Sequence, residues 1–217
     1  MFDNVIFTMS GKAGSGKDTI GEMFRVYCKS INLEPFTLAF ADQLKDHCRR
    51  NFNYVDKTND RHILQEFGQK VRDLEPDFWA LQVYHTIDRL KDMFDVFIIT
   101  DCRYENEKSL FPYSVCYPIV NVYVKRDVES NLSEDEYNHE SEKMAENFDE
   151  NQYHFVIDNN GSIEDTYKQV VHIVDEVILN KEKYVKKYDN LNESDASYLD
   201  GILNALSNTL GGANDNE

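Results

Sequence analysis

The chain has 217 residues, 41% of them hydrophobic, enough for one sizeable α/β domain with a core of its own. Forty acidic residues against 23 basic ones leave a formal charge of −17; such a surface repels nucleic acid, so a site for an anionic ligand has to be a local basic pocket. No apolar run approaches the roughly 18 residues of a membrane span, Met1-Phe2-Asp3 lacks the basic start of a secretory leader, and Cys28, Cys48, Cys102 and Cys116 lie without metal-ligand spacing, so reduced thiols in a cytoplasm are expected.

In chain order, residues 4–9 read as a first strand and 17–31 as a first helix, with Ile20, Phe24, Tyr27, Cys28 and Ile31 at helical spacing. Between them lies Gly11-Lys12-Ala13-Gly14-Ser15-Gly16-Lys17-Asp18-Thr19. Strand, glycine-rich turn and helix are the context of a phosphate-binding P-loop. The glycines let backbone N–H groups close round an anion. The positive end of the helix faces the same anion, and Lys17 adds a mobile charge for the β- and γ-phosphates. Asp18 follows the lysine where a hydroxyl residue is usual, and the hydroxyl arrives one position later at Thr19.

A short strand Phe36–Phe40 and a helix from Ala41 to Phe52 come next. Asn59 to Leu74 has helical periodicity, with Leu64, Phe67, Val71 and Leu74 on one arc and Arg61, Gln65, Gly68 and Arg72 on another. Two arginines and an amide on one face suit a phosphate and a base, because the guanidinium fork binds phosphate oxygens bidentately; spacing alone favours an ordinary solvated face. A helix beginning at Glu75-Pro76-Asp77 carries Trp79, either a half-buried core aromatic or a surface for a base to stack on.

Asp95 to Asp101 is a near-continuous apolar run, as a central parallel strand should be, and ends in Asp101-Cys102-Arg103. Ligands bind at the carboxyl ends of such strands. There Asp101 can hold Mg²⁺ or its waters, or accept a proton from a substrate hydroxyl, while Arg103 grips a phosphate; a structural ion pair is the alternative. On the catalytic reading, Asp101→Asn should cut kcat by orders of magnitude and leave stability nearly unchanged.

Ile119–Val124 is a fourth strand, followed by Lys125-Arg126. A polar, acidic excursion from Asp127 to Gln152 suits a lid over a phosphoryl-transfer site. Its His139-Glu140-Ser141-Glu142 is a weak metal-ligand set and reads more simply as solvated surface. Phe155–Asp158 is a fifth strand, Asn159-Asn160-Gly161 a turn, and Ser162 the cap of a last helix. Five strands alternating with helices imply a parallel sheet covered on both faces within residues 1–188. Residues 189–217 hold six acids and no Lys or Arg. They read as an acidic tail, partly disordered, with a short amphipathic helix over Tyr198–Leu210.

Taken together, the glycine loop, Arg61…Gln65…Gly68…Arg72…Pro76-Asp77-Phe78-Trp79, Thr100-Asp101-Cys102-Arg103…Asn106-Glu107, the His139 segment and Ile157-Asp158-Asn159…Gly161-Ser162 resemble a bacteriophage deoxynucleoside monophosphate kinase. The resemblance covers about residues 4–180. It implies a three-layer P-loop kinase fold with strand order 2-3-1-4-5. It also implies transfer of the ATP γ-phosphoryl to a deoxynucleoside 5′-monophosphate with Mg²⁺, in the host cytoplasm if phage-encoded.

In that family the residues matching Ser15, Lys17, Asp18 and Thr19 hold ATP and Mg²⁺, and Asn160 joins the ATP side. Arg61, Gln65, Arg72, Trp79, Asp101 and Arg103 belong to the acceptor, and Asp18, Thr19 and Asp101 to the metal. Residues 127–152 lack the lid arginines many such kinases carry, so Arg126, Lys12 or Arg103 has to neutralise the transferring group. The last turn is also similar to dephospho-coenzyme A kinases. A phosphotransferase with that acceptor, or a nucleotide-dependent binding module, remains the alternative, and a homodimer is left open.

Overall fold

The computed structural model describes residues 4–51, 61–109, 117–127 and 149–185. The elements are β1 (Val5–Ser10), α1 (Lys17–Ser30), β2 (Pro35–Leu38), α2 (Phe40–Asn51), α3 (Arg61–Leu74), α4 (Phe78–Leu90), β3 (Val96–Ile99), α5 (Glu105–Ser109), β4 (Ile119–Lys125), β5 (Phe155–Asp158) and α6 (Ile163–Leu179), with 3₁₀ turns at Glu150–Gln152 and Lys181–Tyr184. The excursion between 128 and 148, including His139-Glu140, lies outside the described residues, as do Cys116 and the acidic tail from 189 onward.

The five strands form one parallel sheet in the order β2-β3-β1-β4-β5. That is the P-loop kinase order. Alternation along each strand sends side chains to two cores. Val5, Phe7 and Met9 of β1, with Val96 and Ile98 of β3, pack under α1 and α6 against Ile20, Phe24, Val170 and Val174. Phe24 meets Phe7 edge-on, ring centroids 4.9 Å apart. Ile6, Phe97 and Ile99 face the other way, onto Trp79, Val83 and Ile87 of α4. β1 is buried along its whole length, which explains its mostly apolar sequence. One polar pair interrupts the α4-side core: buried Thr8 donates to Asn121 Oδ1 at 2.6 Å, so neither group is orphaned.

Most element ends shift by a residue or more from the sequence reading, and two of the shifts bear on the site. β2 ends at Leu38, and Phe40, expected as its last residue, opens α2 instead. β3 stops at Ile99, yet Thr100 N still bonds Leu38 O at 3.3 Å. Helix α5 was not expected from periodicity, being a single turn too short to show any.

α1 lies close against the sheet. A Cβ at Gly21 would stand 2.5 Å from Thr100 Cγ2. Alanine in a helix interior is favoured over glycine by roughly 1 kcal/mol, whereas overpacking a dense core costs about 1–3 kcal/mol. The second effect should win: Gly21→Ala is expected to lower the urea midpoint, and a raised midpoint would mean that α1 can move away without loss.

Candidate active site

The carboxyl ends of β1, β3, β4 and β5 meet at one edge of the sheet, and the glycine loop crosses it. Gly11, Gly14 and Gly16 have φ of 146°, 76° and 95°, values side-chain-bearing residues rarely adopt. Gly16 is the N-cap of α1 and has no side chain to cap with, so no side chain of the cap competes with an anion for the helix's first N–H groups. Ser15 N donates to Lys12 O at 3.2 Å and closes the turn. Lys17, the first residue of α1, folds back so that Nζ donates to Gly11 O at 2.7 Å and Lys12 O at 2.8 Å. The ammonium is thereby held over the loop. Ser15 is fully buried and its hydroxyl has no hydrogen-bond partner among the described residues, a polar group that a phosphate oxygen would satisfy.

The loop is braced from β5. Asn159 Nδ2 donates to Ser15 O at 2.8 Å, Asn159 Oδ1 accepts from Thr166 Oγ1 at 3.0 Å, and Asn159 N donates to Lys125 O at 2.8 Å. A Cβ at Gly16 would stand 2.5 Å from that Nδ2. The sequence reading chose the neighbouring Asn160 for the ATP side. Asn160, exposed, accepts from Asp127 N and donates to Asp158 Oδ1, both at 2.8 Å, tying β5 to the end of β4. Asparagine beside asparagine in a turn gives no sequence signal of which one turns inward.

At the end of β3 the structure gives Asp101 a structural role. Its Oδ1 accepts from Phe40 N and its Oδ2 from Ala41 N, each at 2.8 Å, so the carboxylate caps the start of α2. Burial pushes this carboxyl above its usual range, while those two N–H groups and the nearby Arg103 guanidinium pull it back. Cys102 N bonds Met9 O at 3.0 Å, which seats the Asp101–Arg103 turn directly beside the glycine loop. The Cys102 thiol is buried and pushed well above its ordinary pKa by desolvation, so it is no nucleophile.

Two further acceptor-side residues are placed otherwise than expected. Trp79 is 2% exposed and sits in the α4 core. Its indole N–H donates to Gly68 O at 3.1 Å, fastening α4 to α3, and it offers no face for a base. Val83 and Ile87, four and eight positions along α4, share its face and are the signal for this core role. Arg72 pairs through Nη2 with Glu107 Oε1 at 3.3 Å and lies 4.0 Å over the Tyr104 ring. Gln65 is half-buried on α3, whose first residue is Arg61. Lys12 and Arg126 are exposed, at the loop and just past β4.

Among the described residues no cluster of three or more His, Cys, Asp or Glu could hold a metal. Mg²⁺ at phosphate sites typically takes one or two protein oxygens and completes its shell with phosphates and water. Asp18 and Thr19, exposed in the first turn of α1, fit that demand. Asp101 accepts one backbone N–H at each oxygen and keeps a further lone pair on each for a metal-bound water. No described helix is long and apolar enough to cross a membrane.

A P-loop kinase fold with its glycine loop is therefore the class that sheet order and site define. No family model matches the chain. It is 27% identical over 191 residues to a dephospho-CoA kinase from Aquifex aeolicus (strain VF5), a match spanning 78% of this chain and 95% of that protein. Among solved structures it is similar to dephospho-CoA kinase from Campylobacter jejuni (14% identity, 81% of this chain and 98% of that one, TM-score 0.46). It is also similar to shikimate kinase from Acinetobacter baumannii in complex with shikimate (12% identity, 82% and 95%, TM-score 0.45).

Proposed function

We propose that the chain transfers the γ-phosphoryl group of ATP to deoxynucleoside 5′-monophosphates, giving diphosphates for deoxynucleotide supply, in the host cytoplasm if it is phage-encoded. The observation that carries the reading is the Lys17 ammonium held over the glycine loop, with the Arg103 turn on the neighbouring strand end. Phosphoryl transfer asks for positioning and charge neutralisation, and for little covalent chemistry. In this reading the N–H groups of residues 11–16 bind the β- and γ-phosphates, and Lys17 neutralises the charge between them. Mg²⁺, taken by Asp18 or Thr19, supplies further charge neutralisation when bound. Arg61 and Gln65 of α3 orient the acceptor. Arg103, with Arg126 or Lys12, faces the transferring group.

A second acceptor, dephospho-coenzyme A, is favoured by one observation, the match to the Aquifex aeolicus protein along most of both chains. The two readings share the donor site and differ only in what accepts. Incubating the full chain with ATP, Mg²⁺ and each candidate acceptor in turn separates them. Formation of ADP together with a deoxynucleoside diphosphate is the expected result. Turnover with dephospho-coenzyme A alone would move the assignment to the second reading, and slow ATP hydrolysis unchanged by any acceptor would leave a nucleotide-dependent binding module.

A further inference from the structure

Beyond the loop, one buried carboxylate touches both sides of the proposed acceptor region. Glu107, in the single turn of α5, has 3% of its side chain exposed. Its Oε2 accepts from Arg103 N at 2.8 Å and Tyr104 N at 3.1 Å. Its Oε1 pairs with Arg72, near the end of α3. The Arg72 side chain is 18% exposed and stacks on the Tyr104 ring, so charge, ring and carboxylate form one packed unit. α5 is itself pinned: Asn106 Nδ2 donates to Pro76 O at 2.8 Å and Asp77 Oδ1 at 2.9 Å, and Lys108, also buried, pairs with Glu105 and reaches Gln152 Oε1 at 3.1 Å.

We infer that Glu107 is a positioning residue, setting the backbone that carries Arg103 against the helix that carries Gln65 and Arg61. The inference rests on the reading of this region as the acceptor side. A single side chain that fixes two elements by three contacts has no slack. Losing it takes the carboxylate acceptor from two N–H groups and a guanidinium in a largely buried site, the situation in which a missing acceptor costs most. Arg72 then acts through Glu107, holding it. This also accounts for the spacing of Arg103 and Glu107: four residues let a Glu one turn into a helix reach back to the N–H groups before it.

The test compares Glu107→Ala and Glu107→Gln in the full chain by three readouts. In Glu107→Ala, hydrogen exchange at the Arg103 and Tyr104 amides should speed up about tenfold or more, with β1 and β4 amides unchanged. The KM for the acceptor found in the screen should rise about tenfold, while the KM for ATP moves about twofold at most. Glu107→Gln keeps one oxygen for the backbone N–H groups but turns its NH₂ donor toward the Arg72 guanidinium, so it should recover most of the exchange protection and only part of the acceptor KM.

A lowered unfolding midpoint with both the exchange and the acceptor KM at wild-type values would overturn the inference and leave Glu107 a stabilising residue only. Should Glu107→Ala fail to fold, Glu107→Gln decides alone, and an unchanged acceptor KM there counts against it. If the wild-type chain phosphorylates none of the acceptors, the proposed function fails, and the Arg103 and Tyr104 exchange rates still decide the role of Glu107.

Discussion

Lys17→Ala should lower turnover about 10²–10³-fold, the usual effect of removing one charged or hydrogen-bonding partner of the transition state from a preorganised site. Lys17 is the residue whose charge the loop is built to present. Its ammonium donates to Gly11 O and Lys12 O, and so it is already held over the loop before ligand arrives. The side chain is only half-buried, so losing those two bonds costs stability modestly, on the order of 1 kcal/mol. Activity and stability are thereby separable. The mutant should unfold within a few degrees of wild type and bind ATP more weakly while scarcely turning it over. A folded Lys17→Ala protein with near-normal turnover would remove the glycine loop from the mechanism altogether.

The parts legible in the sequence were those with a period or a fixed spacing. Val5–Ser10, Val96–Ile99 and Ile119–Lys125 are almost unbroken apolar runs because parallel strands are covered on both faces, and the glycine loop announces itself by where its glycines must stand. What stayed hidden was the destination of polar side chains. Trp79, Arg72 and Asp101 each carry chemistry that suits a nucleotide, and each also meets a protein partner far from it in sequence: Gly68 O, Glu107, and the N–H groups of Phe40 and Ala41. A hydrogen bond between residues 60 positions apart leaves no periodicity to read. Asn159 escaped for the same reason, since its partner Ser15 lies 144 positions earlier.

Asp101→Asn is expected to act first on stability. On the sequence alone Asp101 was a strand-end carboxylate beside a phosphate loop, and its neutral isostere should have reduced turnover and little else. The geometry reverses that order. Two oxygens each accept one backbone N–H, from Phe40 and Ala41, at the start of α2. Asparagine has one acceptor oxygen and one NH₂ group. Whichever way the amide turns, one N–H meets a donor in place of an acceptor. The loss is a charge-assisted hydrogen bond plus an unsatisfied donor, about 2–4 kcal/mol together, against about 1 kcal/mol for an ordinary exposed cap. At roughly 2–4 °C per kcal/mol for a chain of this size, the thermal midpoint should fall by about 5–15 °C. ATP affinity should change little, because the glycine loop and Lys17 belong to β1 and α1. The folded fraction should keep part of its turnover, since Arg103 follows two positions later on a turn that Glu107 secures independently. Measuring kcat and the midpoint on the same Asp101→Asn sample decides the matter: an unchanged midpoint with turnover abolished would return Asp101 to the reaction and remove it from the cap of α2.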